Sequence, residues 1–395
     1  MKKIELLAPA GDLERLKWAC LYGADAIYIG GEEYSLRANA KNFKINEIKE
    51  ACEYVHSLNK KLYVTVNMIF HNVNTKNLIT YLKQLEECKV DAIIVADLFI
   101  IDLLKENNIK IPVHISTQQS SLNIETIKFY ENEGIVERVV LGREASKFDI
   151  QAIRKQSNIE LETFIHGAMC TSYSGRCVMS NYMTNRDANR GGCSQICRWD
   201  FDLVEDNKKT DLEPKFTMCS KDLSMIDHIG DLIDLGVSSL KIEGRMRSIY
   251  YVATILSIYR KVIDNYYLGI KEITPIDKYI LNRCANRDSC VQFFDHKPGE
   301  NEQYYNGRQE ISNQDFLGIV LDYSNDIATI TQRNYFQIGD EIEVFGPNGC
   351  KSFKLEQMWD DFGDRTCANH PEEILKIKIP FEVKKNDLLR KKMVI

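Results

Sequence analysis

The stretch VDAIIVADLFIIDLL, from Val90 to Leu104, contains the unit from which the fold is built. Its apolar, β-branched beginning is typical of a strand buried on both faces, and its second half predicts a helix. Three aspartates interrupt its apolar residues, and no apolar run in the chain reaches the roughly 18 to 20 residues of a membrane helix. We therefore predict a buried strand over 92–96 that leads into a helix over 98–107.

The same alternation of a short apolar run with a helical pattern occurs eight times before residue 270. The predicted strands are 4–7, 26–29, 62–67, 92–96, 113–116, 139–141, 161–165 and 240–243. The predicted helices are 12–22, 45–57, 75–87, 98–107, 123–133, 147–156, 223–235 and 246–268. This alternation favours an α/β fold with a closed (β/α)8 barrel of the TIM type. An open doubly wound sheet would give the same local pattern.

The connection after the seventh predicted strand is unusually long. Connections between a strand and a helix in such folds have about two to six residues. Here more than fifty residues separate Ile165 from the helix that we predict to begin at Leu223. Insertions at this position lie at the carboxyl ends of the barrel strands, where barrel enzymes have their active sites. We predict a cysteine-rich insertion over 166–222, with a hairpin through Phe201 to Val204 and Lys215 to Met218.

Four of the twelve cysteines lie close together in ETFIHGAMCTSYSGRCVMSNYMTNRDANRGGCSQICRW, from Glu162 to Trp199. They are Cys170, Cys177, Cys193 and Cys197, separated by six, fifteen and three residues. The Gly, Ser, Asn and Arg residues around them are typical of a long loop, which four thiolates around a metal centre would hold in place. We therefore predict these four cysteines as metal ligands.

Spacing alone leaves the role of the four cysteines open. Zinc usually binds closely spaced pairs such as Cys-x2-Cys, whereas iron–sulfur clusters tolerate irregular spacing. Four unrelated thiols are a third interpretation, and Cys219 could replace one of the four as a ligand. The main rival to a metal site is a nucleophilic Cys170 with His166, four residues earlier, as its base.

Polar residues follow most of the predicted strands and should therefore meet at one end of the barrel. We predict His166, Glu144 and Glu243 as catalytic groups. The predicted substrate-binding residues are Arg37, Asn67, Arg143 and Arg245. Arginines bind carboxylates and phosphates in a bidentate manner, so three of them around one pocket indicate an anionic ligand. Each arginine taken alone could equally form a structural salt bridge.

The charge of the chain gives a mixed indication about nucleic acid. Its 395 residues carry a formal net charge of −6, which is not typical of a nucleic-acid-binding protein. The cysteine loop is nevertheless locally basic, and we predict its four arginines as RNA-binding residues: Arg176, Arg186, Arg190 and Arg198. Glu5 interrupts the apolar residues at the N-terminus, so no signal peptide is predicted. Clustered cysteines without such a signal favour the cytoplasm.

A change of pattern near residue 313 predicts a second domain. Six short runs of β-strand character, with turns between them, lie between Phe316 and Lys392. We therefore divide the chain into a (β/α)8 barrel over 1–275, a connecting segment over 276–312 and a small β-barrel domain over 313–395.

Several motifs together resemble the collagenase-like peptidase family thirty-two, whose catalytic type is unknown. They are GAMC ending at Cys170, GRC ending at Cys177, LLAPAGD near the N-terminus, YIGGEEYSLRA, NRDANRGGC, SKDL from Ser220 and KIEGRMRS from Lys241. Within the family, RDANRGGCSQICRW and the short C-terminal β-domain are most similar to the tRNA hydroxylation branch.

The resemblance to that branch implies an oxygen-independent hydroxylase with a [4Fe–4S] cluster on the four cysteines of the insertion. It implies tRNA as the substrate, 5-hydroxyuridine at the wobble position as the product, and prephenate as the hydroxyl donor. Prephenate is a dicarboxylate, which would suit Arg143, Arg245 and Arg37, and the basic loop would suit an RNA backbone. The competing hypotheses are a collagenase-like peptidase and a zinc-stapled RNA-binding protein.

Overall fold

The computed structural model describes residues 3–36, 42–211, 215–284, 287–306, 313–347 and 349–394. Its larger part is a closed barrel of eight parallel strands, which confirms the predicted fold class. The barrel strands are β1 (Glu5–Pro9), β2 (Ala26–Gly30), β3 (Lys61–Val66), β4 (Ala92–Val95), β5 (Val113–Ile115), β6 (Val136–Val140), β7 (Glu160–Gly167) and β8 (Ser239–Ile242). The barrel closes because β8 pairs in parallel with both β1 and β7.

Helices follow the strands and cover the barrel. They are α1 (Leu13–Leu21), α2 (Ile45–Ser57), α3 (Leu78–Glu87), α4 (Phe99–Glu106), α5 (Ile124–Glu131), α6 (Lys147–Arg154), α7 (Ile229–Asp234) and α8 (Ile249–Tyr267). Polar caps fix several of their starts: Asp12, Asn123, Ser146 and Ser248 each accept a hydrogen bond from a backbone N–H of the first turn. No described helix is long and apolar enough to cross a membrane.

The insertion between β7 and α7 differs from the prediction in two places. Helix α7 does not begin at Leu223, because Asp222–Ser224 forms a short strand antiparallel to the end of β7. Among the described residues the predicted hairpin is reduced to one antiparallel bridge, between Phe201 and Phe216, because Phe216–Ser220 pairs with the distant strand Gln303–Asn306 instead. The other elements of the insertion are the helix Met179–Thr184, the 3-10 turns Ala188–Arg190 and Ile196–Arg198, and the small hairpin Val204–Glu205 with Lys208–Lys209.

After α8 the chain continues through the helix α9 (Pro275–Cys284) and the short strand Ser289–Cys290 into an antiparallel domain. The strands of that domain are Phe316–Ser324, Ile327–Gln332, Phe336–Gln337, Glu341–Gly346, Gly349–Lys354, Met358–Asp360, Gly363–Asp364, Cys367–Ala368, Ile374–Lys378 and Leu388–Lys391. All six runs predicted as strands are present. Eight of the strands form one sheet over a core of their own, and among the described residues the two edge strands of that sheet do not pair with each other.

Aromatic residues dock this domain onto the outside of the barrel. The ring of Tyr250 on α8 stacks on Phe316, with 5.0 Å between ring centroids. The hydroxyl of Tyr22 donates a hydrogen bond to the Asn386 carbonyl oxygen at 2.8 Å. The domain therefore packs against the helical layer near α1 and α8, away from the interior of the barrel.

The interior of the barrel contains a buried network of charges. Arg138 on β6 forms ion pairs with Glu5, Glu160 and Glu162, at 2.6, 2.6 and 3.0 Å. Lys241 on β8 reaches the other oxygen of Glu162 at 2.8 Å. Burial opposes charge on Glu162, but Lys241 and Arg138 outweigh burial and hold its pKa below the ordinary value. The network therefore connects β6, β7, β8 and β1 through side chains as well as through the backbone.

We expect Glu162→Gln to lower the free energy of unfolding by about 3 to 5 kcal/mol at neutral pH, because it leaves Lys241 buried without a counter-charge. Since the pKa of Glu162 is lowered in the folded state, its stabilising effect is present above the unfolded-state pKa and is lost as the pH falls through the folded-state value. The difference between variant and wild type should therefore shrink in acid. Urea denaturation across pH measures both effects.

Glu125→Gln provides the control for this substitution. Glu125 is 79% exposed and lies 3.4 Å from Lys128, in a surface pair that contributes less than about 1 kcal/mol. Equal losses of stability in the two variants would contradict a supporting role for the buried network.

Candidate functional site

A cavity of about 630 Å³ lies at the end of the barrel where the strands have their carboxyl ends, beneath the insertion. Its floor is formed by barrel side chains that include Tyr28, Thr65, Ile94, Phe164 and Lys241. Its roof is formed by the insertion, which contributes Cys170, Cys177, Cys193 and Cys197. The four cysteines therefore line the same cavity as the ends of the barrel strands.

Contacts with neighbouring loops hold the first half of the insertion in place. The backbone N–H of Ser174 donates to a Glu144 carboxylate oxygen at 2.9 Å, and the Ser174 hydroxyl contacts the same carboxylate. Gly175 has φ of +72°, and a Cβ there would overlap the Gln118 carbonyl oxygen. Only glycine combines this backbone conformation with so close an approach to the loop after β5. Cys170 and Cys177 flank this anchored turn on either side.

All four sulfurs belong to free cysteines, and their chemistry suits a metal centre. Cys170 and Cys193 are exposed, whereas Cys177 and Cys197 are half-buried. Burial, followed by the proximity of Cys170, raises the pKa of Cys197 to about 11; Cys170 is exposed as a residue, but the protein atoms packed around its sulfur raise the pKa of that thiol too. Both thiols are therefore protonated at neutral pH unless a metal displaces the proton.

The four thiols are near one another but not yet arranged as ligands of one ion. Within the described parts of the chain, no three His, Cys, Asp or Glu side chains form a group that could hold a metal ion. Four thiols on one polar loop are nonetheless the donor set that iron–sulfur clusters use. The residues therefore fit such a group by their chemistry, and binding would have to draw the insertion closer together.

The cavity is strongly cationic. Its lining includes six positively charged residues: Arg143, Arg198, Lys241, Arg245, Arg247 and Arg287. Glu243 is the one acidic residue in the described lining. This excess of positive charge, in a chain with a net charge of −6, indicates that the cavity binds anions.

Two of these cations have surroundings that favour ligand binding. The guanidinium of Arg143 lies 4.3 Å from the centroid of the Phe164 ring and has no carboxylate partner in the described ranges. Arg245 is 5% exposed and donates to the Thr65 hydroxyl at 3.3 Å. A Cβ at Gly30 would collide with the Arg245 guanidinium, so this glycine provides the space for it.

The structure brings most of the predicted site residues together. Asn67, Arg143, Arg198, Glu243, Arg245 and the four cysteines all line the cavity. Their individual roles stay predictions. Arg37, which was predicted to bind substrate, lies outside the described residues.

The structure does not bring His166 and Glu144 to the cavity lining. His166 is buried between β7 and α8, where its Nδ1 lies 3.2 Å from the Tyr259 hydroxyl. Burial, assisted by Arg247, lowers its pKa to about 3, so the ring is neutral at physiological pH. A pair of Cys170 with His166 as its base is therefore not assembled, and Glu144 serves as the anchor of Ser174.

The remaining predicted RNA-binding arginines lie around the insertion. Arg176 and Arg186 are exposed, as expected for contacts with a large ligand. Arg190 is half-buried and donates from Nη2 to the Asn74 side-chain oxygen at 2.6 Å, which ties the insertion to the loop after β3. Arg190 therefore stabilises the loop, and its position is also suitable for contact with a phosphate.

Sequence reasoning missed several lining residues. Lys241 and Arg247 belong to the KIEGRMRS run, in which only Glu243 and Arg245 were singled out. Phe164 could have been found, because alternation along β7 places it on the same face as Glu162. Arg287 had no such signal, since it lies in the segment that connects the two domains.

Two family models match the chain: Peptidase family U32 over residues 11–304 and Peptidase family U32 C-terminal domain over residues 312–390. The chain is 46% identical to tRNA hydroxylation protein P1 of Bacillus subtilis, over 99% of this chain and 95% of that protein. It is 35% identical to tRNA hydroxylation protein P of Haemophilus influenzae, over 90% and 88% of the two chains. A collagenase of Porphyromonas gingivalis is 30% identical over 90% and 89%. The chain therefore belongs to peptidase family U32.

Proposed function

We propose that this protein is a tRNA hydroxylase that depends on an iron–sulfur cluster and forms 5-hydroxyuridine at the wobble position without molecular oxygen. Membership of the family and the two relatives named for tRNA hydroxylation support an RNA-modifying enzyme acting on tRNA. The observation that carries the proposal is the meeting of all four insertion cysteines with an excess of arginines at one cavity. That cavity lies at the end of the barrel where enzymes of this fold have their active sites.

In this proposal Cys170, Cys177, Cys193 and Cys197 hold a [4Fe–4S] cluster. Binding of the cluster would replace the thiol protons and would require the four sulfurs to come closer together. When bound, the cluster supplies electron transfer or a Lewis-acidic iron. The anchored turn at Ser174 and Gly175 keeps the first two cysteines close to the barrel before loading, which lowers the entropy lost on binding.

The barrel side chains orient the reactants. Arg143 and Arg245 provide guanidinium groups for the carboxylates of a small donor, for which we propose prephenate. The rings of Tyr28 and Phe164 form an apolar floor against which a planar base or ring can pack. Glu243, whose carboxylate lies 3.4 Å from the Tyr28 hydroxyl, is the lining carboxylate that can accept a proton from the substrate.

Two competing functions lack a comparable observation. A collagenase-like peptidase is the function named for one relative, but His166 does not lie at the cavity where a nucleophilic cysteine would need its base. A zinc-stapled RNA-binding protein would use the same four cysteines without catalysis. Metal analysis of protein purified without air separates zinc from iron and sulfide.

We expect Cys193→Ser to abolish 5-hydroxyuridine-derived nucleosides in tRNA and to reduce the iron and sulfide content of anaerobically purified protein. The physical reason is that serine oxygen is a poor replacement for a thiolate ligand of iron. Nucleoside mass spectrometry of tRNA from a deletion strain that carries the variant measures the first effect, and iron and sulfide analysis measures the second.

Cys350→Ser is the matched control, because Cys350 is likewise exposed but lies in the antiparallel domain. It should keep full iron content and full tRNA modification. Unchanged tRNA in the deletion strain itself would contradict the proposed function.

We expect Gly175→Ala to lower cluster content several-fold, because the added Cβ would push the cysteine loop away from the Gln118 carbonyl. Gly134→Ala separates this effect from backbone strain. Gly134 has a similar φ of +75°, yet nothing lies within 4 Å of a Cβ there. Both variants should lose about 1 kcal/mol of stability through the left-handed backbone, whereas only Gly175→Ala should lose iron. Equal iron content in the two variants would contradict the anchoring role.

We expect Arg143→Gln to raise the KM for prephenate by about 10- to 100-fold, because it removes a charge-assisted pair with a carboxylate. The dissociation constant for tRNA should change little. Steady-state hydroxylation at varied prephenate, together with tRNA binding by filter retention, measures the two quantities. A variant with unchanged KM for prephenate would show that the donor binds elsewhere.

A further inference from the structure

Three arginines line the cavity, and two of them pair with one buried carboxylate. Arg287 Nη2 lies 2.7 Å from one oxygen of Asp222, and Arg247 Nη2 lies 3.9 Å from the other. Arg198 donates to the Gln195 side-chain oxygen at 2.7 Å and has no carboxylate within salt-bridge distance among the residues that the structure describes. We call these three arginines of the cavity lining, Arg198, Arg247 and Arg287, the arginine cluster.

The arginine cluster carries more positive charge than its surroundings balance. Its three guanidinium groups remain charged at any physiological pH, whereas Asp222 is paired with only two of them, Arg247 and Arg287. The side chains of Arg287 and Asp222 are only 1% and 5% exposed. Buried Nε of Arg287 also has no hydrogen-bond partner in the described part of the chain. Buried positive charge without a counter-charge is unfavourable, and a bound anion would provide that counter-charge. The arginine cluster therefore favours anion binding.

The position of the arginine cluster favours an RNA phosphate over a small acid. The cluster extends from buried Arg287 to Arg247, whose side chain is 30% exposed at the edge of the cavity. Met246, beside Arg247 in the lining, is 58% exposed, and Trp199, which follows Arg198 in the sequence, is 45% exposed. Arg176 and Arg186 of the insertion are also exposed. An exposed aromatic residue next to an arginine is typical of single-stranded RNA recognition.

The small donor is assigned to Arg143, which does not belong to the arginine cluster. Arg143 lies over the Phe164 ring, which lines the same cavity. Arg143 and the arginine cluster thus provide cationic side chains for two anionic reactants.

We propose that Arg198, Arg247 and Arg287 bind a phosphodiester group of single-stranded RNA next to the nucleotide that enters the cavity, with Trp199 stacking on an adjacent base. This inference rests on the proposed function, in that RNA is taken to be the substrate. It assigns RNA-binding roles to Arg247, Arg287 and Trp199, and it specifies the phosphodiester group as the part of the RNA that Arg198 binds.

The test combines Arg247→Gln with neutral linkages in the RNA. A tRNA anticodon stem-loop is synthesised with one methylphosphonate linkage at each loop position in turn, and its affinity for the holoprotein is measured. Arg247→Gln should weaken binding of the unmodified stem-loop by about tenfold. It should also reduce the slope of log Kd against log salt by about 0.7, the value for one lost contact with single-stranded nucleic acid. At one loop position, the methylphosphonate should weaken RNA binding by the wild-type protein but should not weaken RNA binding by the variant any further.

Arg333→Gln is the matched control. The Arg333 side chain is 31% exposed and pairs with Glu372 in the antiparallel domain, so its loss should leave RNA affinity, salt slope and the methylphosphonate pattern unchanged. Arg198→Gln, on the insertion, provides a second variant and should lose sensitivity at the same linkage as Arg247→Gln. Thermal melting of each variant verifies that it is folded.

Two results would contradict the proposed binding site for a phosphodiester group. One is a folded Arg247→Gln and a folded Arg198→Gln that keep the wild-type methylphosphonate pattern. The other is an Arg247→Gln variant with unchanged RNA affinity but a raised KM for prephenate, which would show that the arginine cluster binds the small acid. Wild-type protein that does not bind the unmodified stem-loop would overturn the proposed function itself, which distinguishes the two failures.

Discussion

The carboxylate of Glu162 is the interaction on which the barrel and its site both depend. It is fully buried, and it holds Arg138 from β6 with one oxygen and Lys241 from β8 with the other. Because β8 closes the barrel by pairing with β7 and β1, this carboxylate crosses one of the two seams of closure. Arg138 crosses the rest of the interior through Glu5 on β1. The charges therefore fix the relative positions of four strands.

The same network sets the floor of the cavity. Lys241 reaches down to Glu162, while its ammonium lies 4.4 Å from the centroid of the Tyr28 ring, which lines the cavity. Phe164, two residues after Glu162 on the same face of β7, carries Arg143 on its ring. A change in the interior network would therefore displace the residues that we propose to hold the substrates. Stability and site geometry are not separable at β7 and β8.

The alternation of strands and helices determined most of the fold that could be predicted from sequence. Apolar runs such as residues 92–96 form strands with little dependence on distant residues, and the barrel follows from their order. The strand pairing of the insertion could not be predicted in this way, because it is nonlocal: Phe216–Ser220 pairs with Gln303–Asn306, more than eighty residues away. The same distance explains why Arg287 was missed. The cysteines were found because their residue type alone marks them.

His166 shows a different limit of sequence reasoning. It comes directly before Gly167 at the end of β7, where a side chain could face either the interior or the helices. Strand alternation places Glu162 and Phe164 on the inner face, and a register irregularity where β7 pairs with β8 precedes His166. The side chain consequently meets Tyr259 on α8 instead of the cavity. A pattern of residue types cannot locate such an irregularity.

The positive charge of the cavity bears on the sulfurs as well as on the substrates. Burial raises the pKa of Cys170 and Cys197, which opposes the thiolates that a cluster requires. Arg143 acts against burial at Cys170, and Arg198 acts against it at Cys197. Arg143 and Arg198 therefore lie where each can stabilise a thiolate as well as an anionic reactant. In the proposed function, cluster and substrates would depend on the same arginines, so binding of a cluster would change the electrostatic field at the substrates.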